Sequence, residues 1–115
     1  MARRKYSSIK HLIPESHLVM PSRSLDEQLF EICAKFNVPL VAVFGKSDSR
    51  DVITARQLHC YCAVVRGLCS IGKARLSIGR VGSFAYGSCE SIDARIKDGT
   101  LDSKSKEVLE FYDLI

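Results

Sequence analysis

The chain has 115 residues, of which 46% are hydrophobic and 26% charged, with five cysteines and a formal charge of +4. That length suits one domain, and that composition suits a packed core rather than a disordered chain. No apolar run approaches the roughly 20 residues of a membrane span. No apolar signal core follows the basic start Met1-Ala2-Arg3-Arg4-Lys5 either, so a cytoplasmic protein is expected.

Residues 1–23 read as a basic N-terminal arm and residues 24–115 as a single helical domain. Pro14 and Pro21 break any long helix in the arm, although a short turn around Ile9 to Ile13 is possible. Ser24 and Glu27 form a Ser-x-x-Glu capping box before a helix from Leu25 to Phe36, with Leu25, Leu29, Ile32, Cys33 and Phe36 on one face. Asn37 stops it in a left-handed cap and Pro39 confirms the break. The run Pro39 to Phe44 suits a one-turn helix better than a strand with no partner. A polar loop, Gly45 to Arg50, leads to a long helix from Val52 to Leu68 with Asp51 as its cap. That helix is apolar on so much of its circumference that it belongs at the centre. Ser70 caps a third helix, Ile71 to Ile78, and Gly79 turns the chain. Two more helices follow, Ser83 to Lys97 and Ser103 to Leu114. The Gly-rich stretch at Gly82–Gly87 also admits a hairpin. With no convincing strand pair, the expected fold is an all-α bundle.

Charge is unevenly spread. Arg3, Arg4, Lys5, Lys10 and Arg23 stand against Glu15 in residues 1–24, so the start of the chain holds the whole net charge. Between Lys46 and Arg80, seven basic residues stand against Asp48 and Asp51. A basic arm and a basic middle suit a polyanion, or a solvated face and a solubilising tail. The odd number of cysteines argues against a disulfide framework. His59-Cys60-Tyr61-Cys62 has poor spacing for a metal, since neighbours two apart on a helix point apart and no CxxC pair exists. Buried apolar cysteine is the expectation there. His11 and His17 lie in the arm and His59 on the buried helix, none with an evident acid or nucleophile beside it, so no enzyme is expected.

The helices Ile71–Ile78 and Ser83–Lys97, joined through Gly79, have the layout of a helix-turn-helix unit, in which the second helix offers its N-terminal side chains to the major groove. Several segments then resemble the C-terminal DNA-binding domain of the bacterial replication initiator DnaA. They are Phe36-Asn37-Val38-Pro39, the stretch from Gly45 to Gln57 with Lys46, Arg50, Val52, Arg56 and Gln57, and Leu76-Ser77-Ile78-Gly79-Arg80. Ala55-Arg56-Gln57 stands where that family commonly has Pro-Arg-Gln. The resemblance spans Leu25 to Lys97 and implies a DnaA/Trp-repressor-like helical fold that binds double-stranded DNA. Lys46 and Arg50 would be loop contacts, Arg50 as a minor-groove arginine, and Arg56 would reach a phosphate or brace the loop. Lys73, Arg75 and Arg80 would complete a basic surface. At the recognition helix the family usually has Gly-Gly-Arg-Asp-His-Thr-Thr-Val, where this chain has Gly82-Ser83-Phe84-Ala85-Tyr86-Gly87-Ser88-Cys89. The family's sequence preference therefore does not carry over. Ser83, Tyr86 and Ser88 remain candidates for bases or phosphates, while Phe84 and Tyr86 equally suit a core or a protein partner. No GxxxxGK[ST] phosphate loop occurs, so no nucleotide cofactor is expected and the implied role is a nucleoid-associated, free-standing module of replication or transcription control. The competing expectation is a protein-interaction module that kept the fold and lost base reading. It would show an exposed apolar patch around Phe84 and Tyr86.

Overall fold

A computed structural model describes residues 21–80 and 84–115. The possible turn at Ile9–Ile13, the contacts expected of the arm and Ser83 lie outside them. Six helices and no strand occur among the described residues: α1 Leu25–Phe36, α2 Leu40–Phe44, α3 Arg50–Val65, α4 Ile71–Leu76, α5 Phe84–Asp98 and α6 Ser103–Phe111. None is long and apolar enough to cross a membrane.

Each helix is set by local chemistry. The Ser24 hydroxyl accepts from the Glu27 amide at 3.2 Å and starts α1. α3 begins two residues earlier than expected, because Ser49, rather than Asp51, accepts from the Val52 amide. Ser70 caps α4 as expected, and Asp102 caps α6 by accepting from both the amide and the hydroxyl of Ser105. α1, α3, α5 and α6 close on one device, a residue with positive φ followed by an amide that reaches back five residues: Val38 to Cys33, Leu68 to Ala63, Thr100 to Arg95 and Leu114 to Leu109. The turn after α4 repeats it, from Arg80 to Arg75 across Gly79 at φ 71. These stops end α3 at Val65, α4 at Leu76 and α6 at Phe111, each short of the periodic pattern in the sequence.

α3 is the hub and touches all five other helices. Ala55, Leu58 and Cys62 on one side join Ile32, Phe36, Ile92, Val108, Leu109 and Tyr112, tying α1, α5 and α6 together. Cys60 and Ala63 on the other side join Leu29, Cys33, Val43, Ala74, Ile78 and Ala85, tying α1, α2, α4 and α5 together. Three cysteines, Cys33, Cys60 and Cys62, are therefore core residues, and Cys69 and Cys89 are half-buried. Burial pushes the Cys60 and Cys62 thiols up to about 12, far from the thiolate a metal or a nucleophile needs.

Candidate nucleic-acid interface

The loop between α2 and α3, residues 45–49, has no apolar side chain to anchor it, and an arginine holds it instead. Arg56, on the second turn of α3, is 5% exposed and turns its guanidinium back under the loop. It donates to the carbonyls of Val43 at 2.9 Å, Ser47 at 2.8 Å, Ala42 at 2.9 Å and Gly45 at 3.0 Å. The planar fork of arginine satisfies the last carbonyls of α2, which a short helix leaves without partners. The four bonds brace the loop, which is one of the two roles expected of Arg56. Burial first, and then the charge of Arg80, lower its pKa, with Asp48 opposing.

Arg80 reaches the same loop from 35 residues away, donating to the Gly45 carbonyl at 2.8 Å. Gly45 thus accepts from two arginines, and the loop is fastened to the turn between α4 and α5. Lys46 and Arg50 flank this junction with exposed side chains, Arg50 in the first turn of α3. No carboxylate lies within ion-pair distance of Lys46, Arg50, Lys73, Arg75 or Arg80 among the described residues. Lys73 is exposed and lies toward Cys69, at the opposite end of α4 from Arg80; Arg75 is half-buried. The structure therefore gathers Lys46, Arg50, Arg56 and Arg80 around one loop and leaves Lys73 at a distance along α4.

α5 packs on α4 and α3. In its first turns Tyr86 is 62% exposed, whereas Ser88 is buried and its hydroxyl donates to the Phe84 carbonyl at 2.9 Å. Ser88, expected to meet bases or phosphates, faces the core instead, because helical spacing from Ala85 and Ile92 puts it on the inner face. Phe84 is half-buried and packs against the cluster of Ala74, Ile78 and Ala85, as the core reading expects. Gly87 points to open space.

One polar constellation escaped the sequence reading. His59 is fully buried, yet its ring has two partners. Gln28 Nε2 lies 3.0 Å from Nδ1 and 3.1 Å from the His59 carbonyl, and Ser77 Oγ lies 2.9 Å from Nε2. Arg66 donates to Gln28 Oε1 at 2.8 Å. The Ser77 hydroxyl donates to the Ala74 carbonyl at 2.6 Å. Its proton is thereby committed, so His59 must hold its own proton on Nε2 and accept from Gln28 at Nδ1. A histidine protonated toward the serine is the wrong tautomer for a general base, and among the described residues no carboxylate bonds to the ring. The chain Arg66–Gln28–His59–Ser77 is a clamp between α1, α3 and α4. Burial drives the His59 pKa down to about 4, against a weak opposing pull from Asp26. The overlooked signal was Gln28, a polar residue on the inward face that α1 also fills with Leu29, Ile32 and Cys33.

No group of three or more His, Cys, Asp or Glu side chains able to hold a metal occurs among the described residues. No family model, curated protein or solved structure matches this chain.

Proposed function

We propose that the chain binds double-stranded DNA, with α4 and α5 acting as a helix-turn-helix unit and the loop at 45–49 as a second contact, in replication or transcription control of a bacterial or mobile-element system. The observation that carries the reading is the double acceptance at the Gly45 carbonyl. It ties a loop bearing exposed Lys46 to the turn that leads into α5, so two elements distant in sequence can meet one ligand together. The resemblance of the Gly45–Gln57 stretch to the DnaA DNA-binding domain points the same way. In this reading Lys46, Arg50, Lys73, Arg75 and Arg80 meet the backbone or minor groove, Tyr86 and Ser83 meet bases or phosphates, and Arg56 positions the loop without touching DNA. Nucleoid association would follow from DNA binding.

A second reading, a protein-interaction module, is favoured by Leu76 and Tyr86, which are 61% and 62% exposed on the same two helices. Fluorescence anisotropy with a random-sequence duplex separates the two. The DNA reading expects micromolar or tighter binding at low salt, weakened by Arg50→Ala and Lys46→Ala, with each removal lowering the salt slope by about one. Absence of binding at low salt would overturn it and leave the interaction module.

A further inference from the structure

α5 turns two different faces to the bundle and to solvent. Ala85, Ser88 and Ile92 are buried, and Cys89 and Ile96 pack beside them on the inner side. Tyr86, Gly87, Glu90, Ala94 and Lys97 are exposed and recur at the spacing of a single outer face. In the first two turns that face offers only two polar side chains, Tyr86 and Glu90, one helical turn apart. Gly87 lies between them, with nothing within 4 Å of where a Cβ would stand. The helix backbone is therefore open to close approach there. The Glu90 carboxylate has no hydrogen bond or ion pair among the described residues, and Lys97 pairs with Asp93 at 3.1 Å instead.

A carboxylate brought against DNA is repelled by the phosphates, so it weakens binding unless a base donates a hydrogen bond to it. In the major groove the donors are the amino groups of cytosine and adenine. Adenine sets its N7 acceptor beside its amino group, where it opposes the second carboxylate oxygen. Cytosine has no acceptor beside its amino group, and thymine offers only an acceptor and a methyl group. We propose that Glu90 is a specificity-determining residue of α5, selecting a C·G pair by accepting from the cytosine amino group, with Gly87 admitting the helix close to the base edges. The inference rests on the reading of α5 as the DNA-reading helix and gives that helix its base preference.

Selection from a random-sequence duplex pool tests the proposal, run on the full chain, Glu90→Ala and Glu90→Gln. The unmodified chain should enrich sites with a fixed C·G pair, and replacing that pair by T·A should weaken its binding roughly tenfold or more. Glu90→Ala should lose the preference at that one pair and keep the rest of the site, while binding a random duplex at least as tightly. Glu90→Gln should turn the preference toward adenine, whose N6 and N7 fit an amide. Residue 90 is exposed, so neither change should move the urea midpoint. The same site from the unmodified chain and from Glu90→Ala, or no fixed C·G pair at all, would overturn the proposal while leaving DNA binding intact. Absence of duplex binding by the unmodified chain at low salt overturns the DNA reading itself, and the role of Glu90 with it.

Discussion

Arg56 shows how one side chain can define a loop. Four carbonyl acceptors converge on a guanidinium with almost no solvent exposure. Hydrogen bonds to a charged group contribute about 1.5–3 kcal/mol each and are not additive, so Arg56→Ala should lower unfolding stability by roughly 3 kcal/mol. Arg56→Lys should recover little of it, since one ammonium cannot span the fork. Urea denaturation checks both; a loss below about 0.5 kcal/mol, typical of surface sites, would show that the loop does not rely on this residue. Gly87 is the opposite case. It sits inside α5 with open space where a Cβ would project, so Gly87→Ala should raise stability by about 1 kcal/mol through helix propensity. The sequence told these two apart only in part. The helix cost of Gly87 could be read directly, whereas Arg56 kept two roles until the carbonyls that surround it were known.

At the scale of the element, starts were more legible than ends. Ser24 and Ser70 announce their helices because a side-chain cap acts within three residues. Ends were misjudged at α3, α4 and α6, where apolar periodicity runs on past the left-handed stop and the later residues pack without being helical. Ile78 is fully buried yet lies beyond α4. Gly79 takes φ 71 there with nothing near its missing Cβ, so the cost of a side chain is purely in the backbone. Gly79→Ala should therefore destabilise by about 1–2 kcal/mol, measured by thermal or urea unfolding. The same turn carries Ser77, one end of the His59 clamp, and this gives the helices a pH dependence. His59 has its folded pKa at about 4, below the ordinary 6.5. The unfolded chain therefore binds the proton first, and stability should be full above pH 6.5 and fall as pH drops toward 4. The slope should approach 1.4 kcal/mol per pH unit. Urea midpoints from pH 7 to 4.5 should show that decline, and His59→Gln should flatten it. An unchanged slope in that variant would assign the acid sensitivity to carboxylates instead.

Across the whole molecule, an all-α bundle around a central helix was legible because the apolar residues of α3 spread over much of its circumference and every other segment is amphipathic or short. The candidate interface was less legible. Net charge located a basic middle, but it could not show that Arg56 turns inward, that Ser88 faces the core, or that Arg80 crosses to Gly45. The Arg56 contacts span 9 to 14 residues and the Arg80 contact 35, while Ser88 turns inward by its helical spacing from Ala85 and Ile92. They leave a smaller set of outward groups, Lys46, Arg50, Lys73 and Tyr86, with Arg75 and Arg80 partly exposed at its edge.

The salt dependence of duplex binding tests the central claim most directly. If about four of these cations meet phosphates, affinity for a random-sequence duplex should fall on the order of a hundredfold between roughly 50 and 200 mM salt. The logarithmic slope should lessen in Arg50→Ala, while unfolding stability stays within about 0.5 kcal/mol. Absence of binding at 50 mM salt, or binding indifferent to both salt and Arg50, would contradict the account.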